Sequence, residues 1–100
     1  MTDLPIACEL TPSQLAHRSV SLSQVLGAAD ARDPVANGFR WRFTPSNELL
    51  TRLIDVVNAE RACCRFLRFQ LTVEPDQGAV WLQLSGPPGT QEFLLSVVAG

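Results

Sequence analysis

The residues able to do chemistry gather in one stretch, Glu60-Arg61-Ala62-Cys63-Cys64-Arg65-Phe66-Leu67-Arg68-Phe69. Cys63 and Cys64 are adjacent, and Glu60 precedes Cys64 by four residues, one turn of an α-helix. Thiolates select soft ions such as zinc, mercury or copper(I), and a carboxylate one turn away can add an oxygen ligand. Cys8 offers a third sulfur from a segment predicted to face the core. Cys63, Cys64, Cys8 and Glu60 are therefore the candidate metal ligands. The spacing is not that of a standard zinc site, because no C-x-x-C is present. The single histidine, His17, lies far upstream and reads as a surface residue of the first helix.

Adjacent cysteines have Cα atoms only ~3.8 Å apart, and a helix turns their side chains apart. A vicinal disulfide would need strain or a frayed helix end. Both sulfurs reach one ion only if the helix end loosens, or if Cys8 closes the site from a neighbouring strand. The lack of C-x-x-C also disfavours thioredoxin-type exchange. A third scheme, Glu60 as acid or base with Cys64 as nucleophile, has no His–Asp companion to support it. The sequence names no catalytic residue, so whether the protein is an enzyme stays open.

A helix over about 46–65 must position these groups. On a wheel of ~100° per residue with Leu53 at zero, Leu49, Leu50, Val56 and Val57 form an apolar stripe. Glu60 and Cys64 fall within about 20° of its centre and Cys63 near its edge. Thr51, Asp55, Asn58, Ala62 and Arg65 occupy the opposite face. A carboxylate on a buried stripe costs several kcal/mol unless it is protonated, paired or metal-bound. Two readings stay open. Either Glu60 pairs with Arg40, Arg42 or Arg18 and fixes helix packing, or it lines a cavity as ligand, acid or base.

The remaining elements follow from periodicity. Leu4, Ile6, Cys8 and Leu10 alternate as a half-buried strand, and Thr11-Pro12-Ser13-Gln14 opens a helix carrying Leu15, Leu22, Val25 and Leu26 to a stop at Gly27. Residues 28–37 read as a loop, with Asp33-Pro34 as a breaker and Asn37-Gly38 as a turn. Phe39-Arg40-Trp41-Arg42-Phe43 alternates rings and guanidiniums, which predicts a strand with one apolar and one basic face. Thr44-Pro45-Ser46 repeats the earlier Thr-Pro-Ser junction. Leu67, Phe69, Leu71 and Val73, a turn at 74–78, and Val80, Leu82 and Leu84 predict a hairpin. After Gly86-Pro87-Pro88-Gly89, a last helix is capped by Thr90 and packs through Phe93, Leu94, Val97 and Val98. The order βαβαββα predicts a single α+β domain over 1–100, a two-layer sandwich of about four strands with helices largely on one face.

Composition bounds what such a domain can do. With 100 residues, 46% hydrophobic and net charge -2, the chain suits one modest core. All eight basic residues are arginine and tyrosine is absent, which excludes a lysine Schiff base and a tyrosine general acid. The arginine bias itself reads as genome composition. No apolar run approaches the ~18 residues of a membrane span, and Met1-Thr-Asp-Leu-Pro lacks signal-peptide character. A cytoplasmic location is expected, where structural disulfides are rare. The acidic balance, with rings and arginines on opposite strand faces, argues against nucleic acid as a partner.

Glu60-Arg61-Ala62-Cys63-Cys64-Arg65-Phe66-Leu67-Arg68-Phe69-Gln70-Leu71 resembles the E-R-x-C-C-x-F-x-x-F-x-L signature of a family of small, largely uncharacterised bacterial proteins. Similar segments occur alone or beside regulators of the mercury-resistance type, and the likeness takes in Ile6-Ala7-Cys8 and Gly86–Phe93. The resemblance implies Cys8, Glu60, Cys63 and Cys64 as the signature polar positions, and a heavy-metal association. Arg65 departs from the proline that many members carry there, which puts the shape of the helix end in question.

Two functions from different classes follow. One is a cytosolic thiol protein binding a soft metal or metalloid, zinc or mercury, through the cysteine pair near a buried Glu60. The other is a non-catalytic structural or interaction module with core cysteines, for which a homo-oligomer is a natural form.

Overall fold

The computed structural model describes residues 22–99, apart from the side chains of Cys63, Val98 and Ala99. The predicted strand at 4–10 and the opening of the first helix lie outside these residues, as do Cys8, His17 and Arg18. The described chain begins in a helix, 22–27 (α1), whose Leu22, Val25 and Leu26 are buried as their spacing predicts. It ends at Gly27, closed by short-range bonds from Ala28 N to Val25 O and from Ala29 N to Leu26 O.

The expected loop is in part a strand. β1 (Ala31–Val35) pairs antiparallel with β2 (Gly38–Phe43) through a two-residue turn, in the register Val35↔Gly38. Asp33-Pro34 reads as a breaker, yet proline fits an edge strand, where its missing N–H can face away from the ladder. The turn is Ala36-Asn37, so the Asn37-Gly38 signal falls across its end and the start of β2. Asn37 adopts a left-handed φ of 56°, which asparagine tolerates well.

α2 (Asn47–Cys63) follows, then β3 (Arg68–Val73), β4 (Val80–Ser85) and α3 (Thr90–Ala99). The α2 cap is Ser46, whose Oγ accepts from Leu49 N at 3.0 Å. Thr44, the counterpart of Thr11, instead donates its hydroxyl to Asp30 Oδ2. In α3 the expected cap, Thr90, is already helical and donates its hydroxyl to Pro87 O.

All strands form one antiparallel sheet in the order β1-β2-β4-β3. Because β2 and β3 both run antiparallel to β4, they are parallel to each other, and α2 links them. This is a split β-α-β unit with β4 inserted at its centre. Phe39, Trp41 and Phe43 stand opposite Leu84, Leu82 and Val80 on one face. Leu22, Val25, Leu26, Leu53 and Leu94 bury that face from the helical side. The architecture is thus the expected α+β sandwich, with the guanidiniums of Arg40 and Arg42 turned to the other face.

Two glycines give a paired test. At Gly38 a Cβ would collide with the backbone of Leu84 and Ser85, whereas nothing lies within 4 Å of one at Gly27. Gly38→Ala should lower stability by about 2 kcal/mol or more. Gly27→Ala should raise it by about 0.4–1 kcal/mol. Urea midpoints with unchanged m-values would check both, and equal shifts would contradict the register at Gly38.

Candidate functional site

The site is built at the C-terminal corner of α2. The wheel holds: Leu53 and Glu60 are buried, the latter with 3% exposure, while Thr51, Asp55, Asn58, Ala62 and Arg65 are exposed. Helical structure stops at Cys63, so Cys64 is the C-cap, with φ -102° and ψ 72°. Its N–H donates to Glu60 O at 2.7 Å, and Leu67 N donates to Cys64 O at 3.1 Å. This turn drops Cys64, Phe66 and Leu67 into the core, with Cys64 only 2% exposed.

What holds the turn is the loop before α3. Phe66 meets Phe93 edge to face, with ring centroids 5.0 Å apart. A side chain at Gly86 would meet Thr90 Oγ1 at 2.7 Å and Phe66 O at 3.0 Å. The Glu60–Phe69 stretch and the Gly86–Phe93 stretch, far apart in sequence, therefore form one packed corner. Gln91 fastens the same loop to the β1–β2 hairpin, donating through Nε2 to Val35 O and Gly38 O.

Within the corner, Cys64 Sγ lies 3.7 Å from Glu60 Oε2. Cys64 is disulfide-bonded, although a cytoplasmic setting argued against structural disulfides. A disulfide sulfur carries no hydrogen, so in this state the approach is a sulfur–oxygen contact. Reduction would turn it into a thiol donor aimed at a carboxylate. Of the four candidate ligands the described side chains bring together Glu60 and Cys64. Those of Cys63 and Cys8 are outside the description. Among the described residues no three of histidine, cysteine, aspartate and glutamate cluster as a metal site.

Two of the three arginines considered as partners for Glu60 are excluded. Arg40 pairs with Asp33 at 3.2 Å and Arg42 with Asp30 at 3.6 Å, both on the outer face of the sheet. Alternation along β2, which buries Phe39, Trp41 and Phe43, is what turns them away. Arg18 is outside the described residues. No buried side-chain N or O atom among the described residues lacks a hydrogen-bond partner, so Glu60 is not an orphaned carboxylate.

Sequence reasoning missed Trp81. It stands between the buried Val80 and Leu82 and therefore projects to the outer face, where the Arg40 guanidinium lies 4.4 Å from its ring centre. With Gln70, Thr72, Glu74 and Gln83 these two line a depression of about 210 Å³. The signal was an aromatic residue at an outward position of an otherwise alternating strand. Arg40 and Arg42 are both paired with carboxylates there, so the face shows no uncompensated basic stripe.

No helix among the described residues is long and apolar enough to cross a membrane. No family model, curated protein or solved structure matches the chain.

Two measurements test the corner. Glu60→Gln should cost about 3 kcal/mol or more if a buried arginine thereby loses its counter-charge. A neutral change would mean the group is protonated in the native state. A double-mutant cycle over Phe66→Ala and Phe93→Ala should return a coupling of about 1 kcal/mol. Zero coupling would mean that the two stretches fold without each other.

Proposed function

We propose that this is a cytoplasmic thiol protein whose reduced form binds a soft metal ion or metalloid through Cys64 and Glu60, with Cys63 and Cys8 completing the ligand set. One observation carries the reading, the 3.7 Å between Cys64 Sγ and Glu60 Oε2. Two ligands of a tetrahedral zinc ion, at ~2.3 Å for sulfur and ~2.1 Å for oxygen, stand about 3.6 Å apart. The pair is already spaced as two corners of such a site. Its burial adds to this, since desolvated anionic ligands attract a cation far more strongly than exposed ones. The resemblance to the E-R-x-C-C-x-F-x-x-F-x-L signature points the same way.

The disulfide sets the condition for binding. A dithiol reductant cleaves it to two thiols and is itself oxidised to a disulfide, and each thiol that ligates releases its proton. In a reducing compartment a disulfide is transient, so the thiol form would be the working one. A second reading is a non-catalytic module whose cysteines only pack and cross-link. The deep burial of Cys64 within the cluster of Phe66, Leu67 and Leu94 favours it.

Two experiments separate the readings. The chain has three cysteines, so one disulfide leaves a single reactive thiol in the denatured, unreduced protein and three after reduction. Titrating the reduced protein with zinc or mercury should then give thiolate-to-metal absorption, proton release and protection of Cys63 and Cys64 from a thiol reagent. Cys8→Ala should weaken binding about tenfold or more. Equal labelling of all thiols with and without metal leaves the packing role.

A further inference from the structure

We propose that β3 is a self-association edge, on which a second copy of this chain pairs antiparallel about a two-fold axis through Leu71. Among the described residues β3 is hydrogen-bonded on one side only, to β4. Its other edge carries none of the usual defences, having no proline, no lysine and no bulge between Arg68 and Val73. The apolar face beside it is also incompletely covered. Leu71 is 37% exposed, Val73 58% and, across on α2, Ile54 51%. Ile54, Val57, Phe69 and Leu71 line an open groove of about 230 Å³ there.

Backbone direction and side-chain chemistry select one register. Glu74 N donates to Ala79 O, on the β4 side. Alternation along an antiparallel ladder then turns the N–H and C=O groups of Phe69, Leu71 and Val73 to the outer edge. Pairing Leu71 with its own copy sets Phe69 opposite Val73 on both sides of the axis and joins these outward groups in about six backbone bonds. Side chains directly opposite share a face, so the three apolar residues of each copy stay on the apolar side. On the other side Gln70 meets Thr72, and Arg68 meets Glu74. Registers shifted by two residues also match the apolar faces, but this one alone sets Arg68 opposite Glu74, so that charge is complementary twice over. A six-residue edge buries less than a standard interface, so the dimer is a weak, transient one.

The proposal is independent of metal binding and is tested on the full chain by sedimentation velocity up to about 100 µM, with and without zinc. The wild type should dimerise in both. Arg68→Glu and Glu74→Arg each oppose like charges at two places and should weaken the dimer about tenfold or more, and the double swap should restore it. Leu71→Arg, which sets two charges on the axis, should leave a monomer. All three positions are exposed, and circular dichroism would verify that the variants fold. A wild type that stays monomeric, its edge covered by residues 1–21 or otherwise, overturns the proposal. So does a dimer that none of these changes affects.

Discussion

The structure depends on the position of β4. Its Val80, Leu82 and Leu84 are fully buried, and it lies between β2 and β3 in the sheet. Placing an antiparallel strand between β2 and β3 makes those two parallel, and parallel strands cannot be joined by a tight turn. The connection must leave the sheet, cross β4 and return, which is what α2 does. The helix has to offer an apolar stripe to the face bearing Leu82, and Leu53 is the residue that meets this demand most completely.

From that constraint follows the unusual chemistry at the end of α2. A 17-residue helix that keeps one face on the sheet brings its last turn, like its middle, against the core. Glu60 and Cys64 fall on that face, so a carboxylate and a sulfur are held in contact away from water. A polar group there is tolerated only with its partners in place, since an unpartnered carboxylate would cost more than the helix gains from packing. The Phe66–Phe93 contact and the bare backbone of Gly86 let the chain turn sharply enough to seal the corner. The site and the core are therefore one object, and changes to either are felt as changes in stability.

Much of this was legible in the residue pattern, and the gaps have physical causes. The wheel of α2 and the alternation of β2 and β4 are strong periodic signals, set by the faces the elements bury. β1 was hidden because Asp33-Pro34 signals a break in an interior strand but is acceptable at an edge. At the entry to α2 the repeated Thr-Pro-Ser junction offers two hydroxyls, of which Ser46 takes the cap while Thr44 bonds Asp30. Arg40 and Arg42 were candidates for Glu60 because a sequence gives the faces of a strand without saying which face meets which helix. The disulfide state of Cys64 had no signal in the sequence.

The unequal covering of β3 is the last consequence of the same arrangement. α1, α2 and α3 bury the inward-facing rows of β2 and β4. Where β3 begins, Phe69 still packs against the core. By Val73 the strand is largely exposed, and on α2 Ile54 is exposed as well. Shifting α2 to cover β3 would draw its Leu53 out of the core over Leu82, at roughly 25 cal/mol per Å² of apolar surface exposed. One helix cannot cover both rows, so the sheet keeps a sealed centre and a sealed corner at Cys64 and leaves its last strand apolar at the edge.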